Sequence, residues 1–403
     1  MNVLFLSELF YPHGSGAELA TYLWARLLAD SGFNVRIVTN RFSGESEKDE
    51  QNELQILRFP ILRAAIGTKY SVLARPDALL RGPIRRLLSW ADLVYVPRFW
   101  FSAIPVAKAC GKIVICHVHD YIPVCPLSTL YDLSRNMICD SRLGCRPSCI
   151  VAHEQVHRKD SLEVLGSSFL NLTIWPCAAR LIELADAVIC VSKAQRELIV
   201  RRRASLKRKC HVIYNPLPEI SALEVDGDDI GYYGGANPAK GFGVLCSALR
   251  SARSGTTIHA TGFDVSRSPV EFFGNSRVLF YRRLPGRHFR HIYRRVHAVV
   301  VPSVWQEPAP YVVSEAMLLG RLVIASRTGG IPEQVSGCPG AFLFEAGDSE
   351  HLGKLIDHVG TLDKQTQAEL GAKNREWVLK KFQQEVALHS FIQVLDRMAT
   401  PHG

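Results

Sequence analysis

Short, unbroken apolar runs separated by longer stretches of helical periodicity set the plan of this chain. Val3-Leu4-Phe5-Leu6, Leu93-Val94-Tyr95-Val96, Val188-Ile189-Cys190-Val191, Val299-Val300-Val301 and Leu322-Val323-Ile324-Ala325 lack the polar alternation of a half-exposed strand. They predict strands buried on both faces, as in a parallel sheet. After the first run, Leu19, Tyr22, Leu23, Leu27 and Leu28 recur at helical spacing, Gly32 closes the helix, and Val35 to Thr39 reads as the next strand. Asn215-Pro216-Leu217-Pro218 and the acidic stretch Glu224 to Asp229 then interrupt the pattern, which predicts a domain boundary. At 403 residues the chain is too long for one ordinary core. The expected architecture is α/β, with doubly wound parallel-sheet domains over residues 1–216 and 217–380 and a helical tail over 381–403.

The richest segment for chemistry runs from Pro302-Ser303 through Glu307 and Glu315-Ala316 to Gly329-Gly330-Ile331-Pro332-Glu333. It reads as strand, loop, helix, strand and loop, with Glu315 in the first turn of the helix. There the macrodipole alone would favour a carboxylate. In open α/β sheets ligands bind beyond the carboxyl ends of the strands, so Glu307, Glu315, Gly329 and Gly330 are expected to face one crevice. The segment resembles the C-terminal signature of glycosyltransferase family 4, whose members are retaining enzymes of the two-Rossmann (GT-B) architecture. It departs from the family in having Pro308-Ala309-Pro310 where many members have Gly-Phe-Gly.

The resemblance implies two Rossmann-like domains facing a cleft, an N-terminal domain for the acceptor and a C-terminal domain for a nucleotide-sugar donor. It also implies a tail helix that crosses back to the first domain. By the same resemblance Glu315 would take the nucleotide ribose hydroxyls, Glu307 the sugar hydroxyls, and Lys240 with Gly234, Gly329 and Gly330 the diphosphate. The Arg that family members place before that Lys is Gly235 here, and Arg282 and Arg283 are the candidate replacements or else a solvated pair. In the first domain the loop Gly14-Ser15-Gly16-Ala17-Glu18 enters a helix, a geometry that brings backbone amides to an anion. The family has Gly-Gly-Ala-Glu at this place, close to donor phosphate and acceptor, which implies donor contact at Gly16 and an acceptor-side role for Glu18. His119-Asp120 ends another strand. The resemblance gives His119 contact with the transferred sugar or the acceptor region and places Asp120 on the acceptor side, with His117 the weaker candidate. His119, Glu307 and Lys240 are thus the expected catalytic set. No cofactor is expected for transfer.

Charge and cysteines add two further expectations. A net charge of +10 favours an anionic partner. The basic amphipathic stretch from Arg63 to Arg86 suits either an acidic membrane surface or a solvated face; no nucleic-acid motif accompanies it. The start of the chain lacks a secretory pattern, and no apolar run is long enough to span a bilayer. A cytoplasmic enzyme is therefore expected, peripheral to the inner face of the membrane if the basic stretch binds lipid. Cys125, Cys139, Cys145 and Cys149 fall in a loop-rich insertion at about residues 121–150 and suit either a structural zinc or unpaired buried thiols. The expected activity is a hexosyltransferase acting on a glycan or lipid-linked acceptor, in surface polysaccharide or glycoprotein glycan assembly. The alternatives are a nucleotide-sugar epimerase or sugar phosphorylase on the same architecture, or a non-catalytic basic nucleotide binder.

Overall fold

The computed structural model describes residues 1–399 apart from 74, 81, 142–144, 158–159, 266–268 and 283–285. It divides into two compact units, Met1–Leu217 with Gln384–Gly403, and Pro218–Gln383. In the N-terminal unit β1 (Asn2–Leu6), β2 (Asn34–Asn40), β3 (Lys48–Gln51), β4 (Leu54–Phe59), β5 (Leu93–Val96), β6 (Ile113–Val118), β9 (Ala187–Cys190) and β10 (Cys210–Val212) form one sheet. A separate short ribbon is made by β7 (Tyr131–Asp132) and β8 (Met137–Ile138). The sheet order is β10-β9-β6-β5-β1-β2-β4-β3, parallel except for the β3–β4 hairpin at the edge. Strand order reverses between β1 and β5, so the loops that follow these strands diverge and leave a crevice at their carboxyl ends.

Helix α1 (Gly16–Asp30) carries the chain from β1 to β2 and buries Trp24 and Leu28 on the sheet. Five more helices follow in this unit: α2 (Gly67–Leu73), α3 (Gly82–Trp90), α4 (Ala103–Ala109) and the pair α5 (Pro147–His157) and α6 (Ser161–Thr173). The stretch from Arg63 to Arg86, expected as one amphipathic face, folds instead as short pieces. Its Lys69 turns inward, donating to the Pro126 carbonyl at 2.7 Å and to Asn171 at 2.6 Å. The last helix, Gln384–Ala399, belongs to this unit, and its fully buried Phe391 lies 5.6 Å from the Trp24 ring and 6.1 Å from that of Tyr95.

The C-terminal unit contains β11 (Asp229–Tyr232), β12 (Thr257–Thr261), β13 (Val270–Phe273), β14 (Ser276–Tyr281), β15 (Val296–Val301), β16 (Leu322–Ser326) and β17 (Ala341–Phe344). Their order is β13-β14-β12-β11-β15-β16-β17, with only β13 antiparallel. Every residue of β15 and β16 is buried, as the unbroken apolar runs require. The order reverses between β11 and β15, and the loops after these two strands carry Lys240 and Glu307. Among the described residues no helix is long and apolar enough to cross a membrane.

Candidate functional site

In the C-terminal unit three loops are tied together around one carboxylate. Glu307 follows β15 and is buried; its Oε1 accepts from Lys240 Nζ at 2.7 Å and from Ser303 Oγ at 2.7 Å. Its carbonyl accepts from the Gly330 amide at 2.7 Å, and the neighbouring Gln306 side chain accepts from the Gly329 amide at 3.0 Å. On the other side Val304 N–H donates to the Ala239 carbonyl, joining this loop to the turn Pro238–Lys240. Close approach explains two glycines. Gly329 has φ 50°, and a Cβ there would sit 2.0 Å from the Glu307 carbonyl oxygen; Gly241 has φ 78°, and a Cβ there would sit 1.8 Å from the Pro302 carbonyl oxygen. Lys240 Nζ also lies 5.0 Å over the Trp305 ring. Glu307, Lys240, Gly329 and Gly330 are thus brought together, with Gly234 just beyond β11.

Glu315 requires a correction. The helix Tyr311–Leu318 begins after Pro310, so Glu315 stands in its second turn, beyond the first-turn amides. The macrodipole therefore does not account for it. Burial alone pushes its carboxyl up to about 7. Arg282 is exposed and lies 3.9 Å from Asp264, as a solvated pair would, and Arg283 falls outside the described residues.

The N-terminal unit builds a second cluster where β1, β5 and β6 end. Arg98, just past β5, bonds Glu18 of α1 and approaches Glu8 to 3.8 Å. Glu18 also accepts from Ser15 N–H at 2.7 Å, so an amide expected to greet a phosphate beside Gly16, the first residue of α1, is already committed to this chain's own carboxylate. His119 and Asp120 follow β6. Burial and then the Arg98 charge lower the His119 imidazole to about 3, so it is neutral at physiological pH. Burial raises the Asp120 carboxyl despite the opposing charge of Arg98, and its Oδ1 accepts from Ile122 N–H. His117 is a core residue, hydrogen-bonded to the Tyr95 hydroxyl.

Glu8 and Arg98 were not anticipated from sequence. Glu8 is fully buried with neither carboxylate oxygen hydrogen-bonded, and burial raises it to about 7. The available signal was a charged residue directly beyond each of two apolar strands. A cavity of about 500 Å³ opens beside this cluster, lined by Arg98, Asp120, Lys69, Glu154, Glu163 and Ser167 among others.

Nearby, Cys125 and Cys145 sulfurs lie 3.3 Å apart, and Cys149 Sγ lies 3.6 Å from the Tyr131 carbonyl. Burial opposes ionisation of Cys125, but the Cys145 contact and the backbone amides of Leu130, Leu127 and Thr129 outweigh it and hold this thiol low. Burial raises Cys139. Among the described residues no group of three or more His, Cys, Asp and Glu side chains is set to hold a metal.

Two parallel-sheet units, each with loops converging at its switch point, make the two-Rossmann (GT-B) architecture, and the comparison with known proteins adds the family. The profile for glycosyltransferase family 4 matches residues 14–218, and that for glycosyl transferases group 1 matches residues 227–360. The chain belongs to glycosyltransferase family 4. It is 22% identical over 355 residues to an uncharacterized 42.6 kDa protein in the cps region of Klebsiella pneumoniae, covering 86% of this chain and 90% of that one. It is 30% identical over 271 residues to alpha-maltose-1-phosphate synthase of Mycolicibacterium smegmatis, covering 59% of this chain and 69% of that protein. The crystal structure of Anabaena HepE in complex with UDP-glucose shares the GT-B fold, with a TM-score of 0.62, 18% identity and 99% of both chains covered.

Proposed function

We propose that this chain transfers a hexose from a nucleotide diphosphate sugar, with retention of configuration, to a glycan or lipid-linked acceptor in surface polysaccharide or glycoprotein glycan assembly. The observation that carries the reading is the Lys240–Glu307–Ser303 cluster with the Gly329-Gly330 loop closed against it. Breaking a sugar–phosphate bond places negative charge on the departing diphosphate, and a fixed cation with preorganised donors lowers the cost of that charge. Lys240 is the cation in this reading, while Glu307, held by Lys240 and Ser303, takes sugar hydroxyls. Glu315, kept partly protonated near neutrality by burial, takes the ribose hydroxyls. His119, neutral and beside Arg98, contacts the sugar or acceptor as a hydrogen-bonding group rather than a cation. Support for the donor class comes from the UDP-glucose bound by HepE.

Glu315→Ala tests the assignment: nucleotide-sugar binding and transfer both fall, and unchanged binding and transfer would overturn it. Proton NMR of the product tests the stereochemistry, since retention requires the anomeric configuration of the donor and an inverted product refutes it.

A further inference from the structure

Helix α6 is built inside out. Its buried side chains are polar: Ser168 and Asn171 face the protein, and Asn171 accepts from Tyr70 at 2.8 Å and Lys69 at 2.6 Å while donating to Glu154 at 3.0 Å. Its large exposed side chains are apolar: Leu162 is 77% exposed, Leu165 67%, Phe169 61% and Leu172 42%. The spacings of three, four and three residues put all four on one stripe of the helix. Core-facing helices have the reverse arrangement, so this stripe is not a misplaced packing face. The polar bonds lock α6 down and present the apolar side outward.

We infer that this stripe docks the protein on an anionic lipid bilayer. Charge is the first argument. Of the net +10, the N-terminal unit holds +8, from 29 Lys and Arg against 21 Asp and Glu, so the unit that bears the stripe is the one drawn to acidic headgroups. Arg63, ahead of α2, which is bonded to α6 through Lys69 and Tyr70, is exposed, with the similarly solvated Asp77 3.5 Å away. Size is the second. Four side chains along about 15 Å of helix suit shallow insertion at the headgroup boundary. A patch on the order of 500 Å² falls short of the roughly 800 Å² per partner that a stable protein interface buries. Position is the third. Glu163 and Ser167 of α6, with Glu154 of α5, line the cavity beside Arg98 and Asp120, so a docked α6 holds that cavity at the bilayer surface. A lipid-linked acceptor follows from that placement, a consequence that rests on the transfer reading above; docking itself does not.

The test is cosedimentation of the full chain with vesicles of phosphatidylcholine and phosphatidylglycerol in equal parts, against phosphatidylcholine alone. Wild type sediments with the anionic vesicles and is released by high salt. Leu162→Ser/Leu165→Ser/Phe169→Ser binds at least tenfold more weakly, while its thermal unfolding and its calorimetric response to nucleotide sugars match wild type. Three results overturn the inference: a wild type that ignores anionic vesicles, a triple variant that binds them as well as wild type, or a wild-type dimer in sedimentation velocity that the triple variant abolishes, which assigns the stripe to a second copy. Because vesicle binding is read without donor, its failure leaves the transfer reading standing, and the converse holds.

Discussion

Replacing Glu8 by Gln removes a charge whose burial the fold does not repay. Glu8 is fully buried, its oxygens make no hydrogen bond, and its nearest cation, Arg98, stands 3.8 Å away and is shared with Glu18. Its carboxyl titrates at about 7 in the fold against 4.5 in a free side chain. A folded-state pKa raised in this way means the folded protein holds the proton more tightly than the unfolded one. The associated stability is complete below pH 4.5 and is lost as pH rises through about 7. A gap of two to three pH units corresponds to about 3 kcal/mol. Gln mimics the protonated carboxyl, and Glu18 still holds Arg98 in the variant. Glu8→Gln is therefore close to wild type in stability at pH 4.5 and more stable by up to about 3 kcal/mol at pH 8. His117, His119 and Glu315 also titrate differently on folding, but they do so in both proteins and cancel from the difference. Urea unfolding of wild type and variant at the two pH values reads the effect directly. Equal differences at both pH values, or a variant less stable than wild type at pH 8, would refute the reasoning.

Three further outcomes follow from packing and side-chain chemistry. Phe391→Ala, which empties a fully buried site against Trp24 and Tyr95, costs about 3–5 kcal/mol in denaturant unfolding. Gly329→Ala places a methyl against the Glu307 carbonyl, so nucleotide-sugar affinity falls at least about tenfold, about 1.4 kcal/mol, by calorimetry. Metal analysis decides between the two readings of Cys125, Cys139, Cys145 and Cys149: a structural zinc requires about one equivalent of metal in purified protein and four thiols shielded from alkylation, and metal-free folded protein excludes it.

What could be read in advance divides along physical lines. Strands buried on both faces announce themselves as unbroken apolar runs, so Val299 to Val301 and Leu322 to Ala325 marked β15 and β16 without ambiguity. Lys240, Glu307 and the glycine pair were marked by the family resemblance, and the hydrogen bonds that join their loops supply the physical reason for the glycines. Glu315 was misplaced within its helix because Pro308 and Pro310 delay the helix start to Tyr311, a boundary that apolar spacing does not mark. Arg98 and Glu8 escaped notice because their partnership spans ninety positions and depends on β1 and β5 lying side by side in the sheet. The stripe on α6 escaped for the opposite reason. Leu162, Leu165, Phe169 and Leu172 have the periodicity of a core face, and only the buried Asn171 and Ser168 reveal which side points inward.

The most direct test of the account is titration calorimetry of the wild-type chain and Lys240→Ala with a panel of nucleotide diphosphate sugars. Wild type binds at least one of them at a single site, and removing the Lys240 charge weakens that binding at least about tenfold. Absence of binding to every donor in the panel, or equal affinity in the variant, contradicts the claim that Lys240 and Glu307 grip an activated sugar.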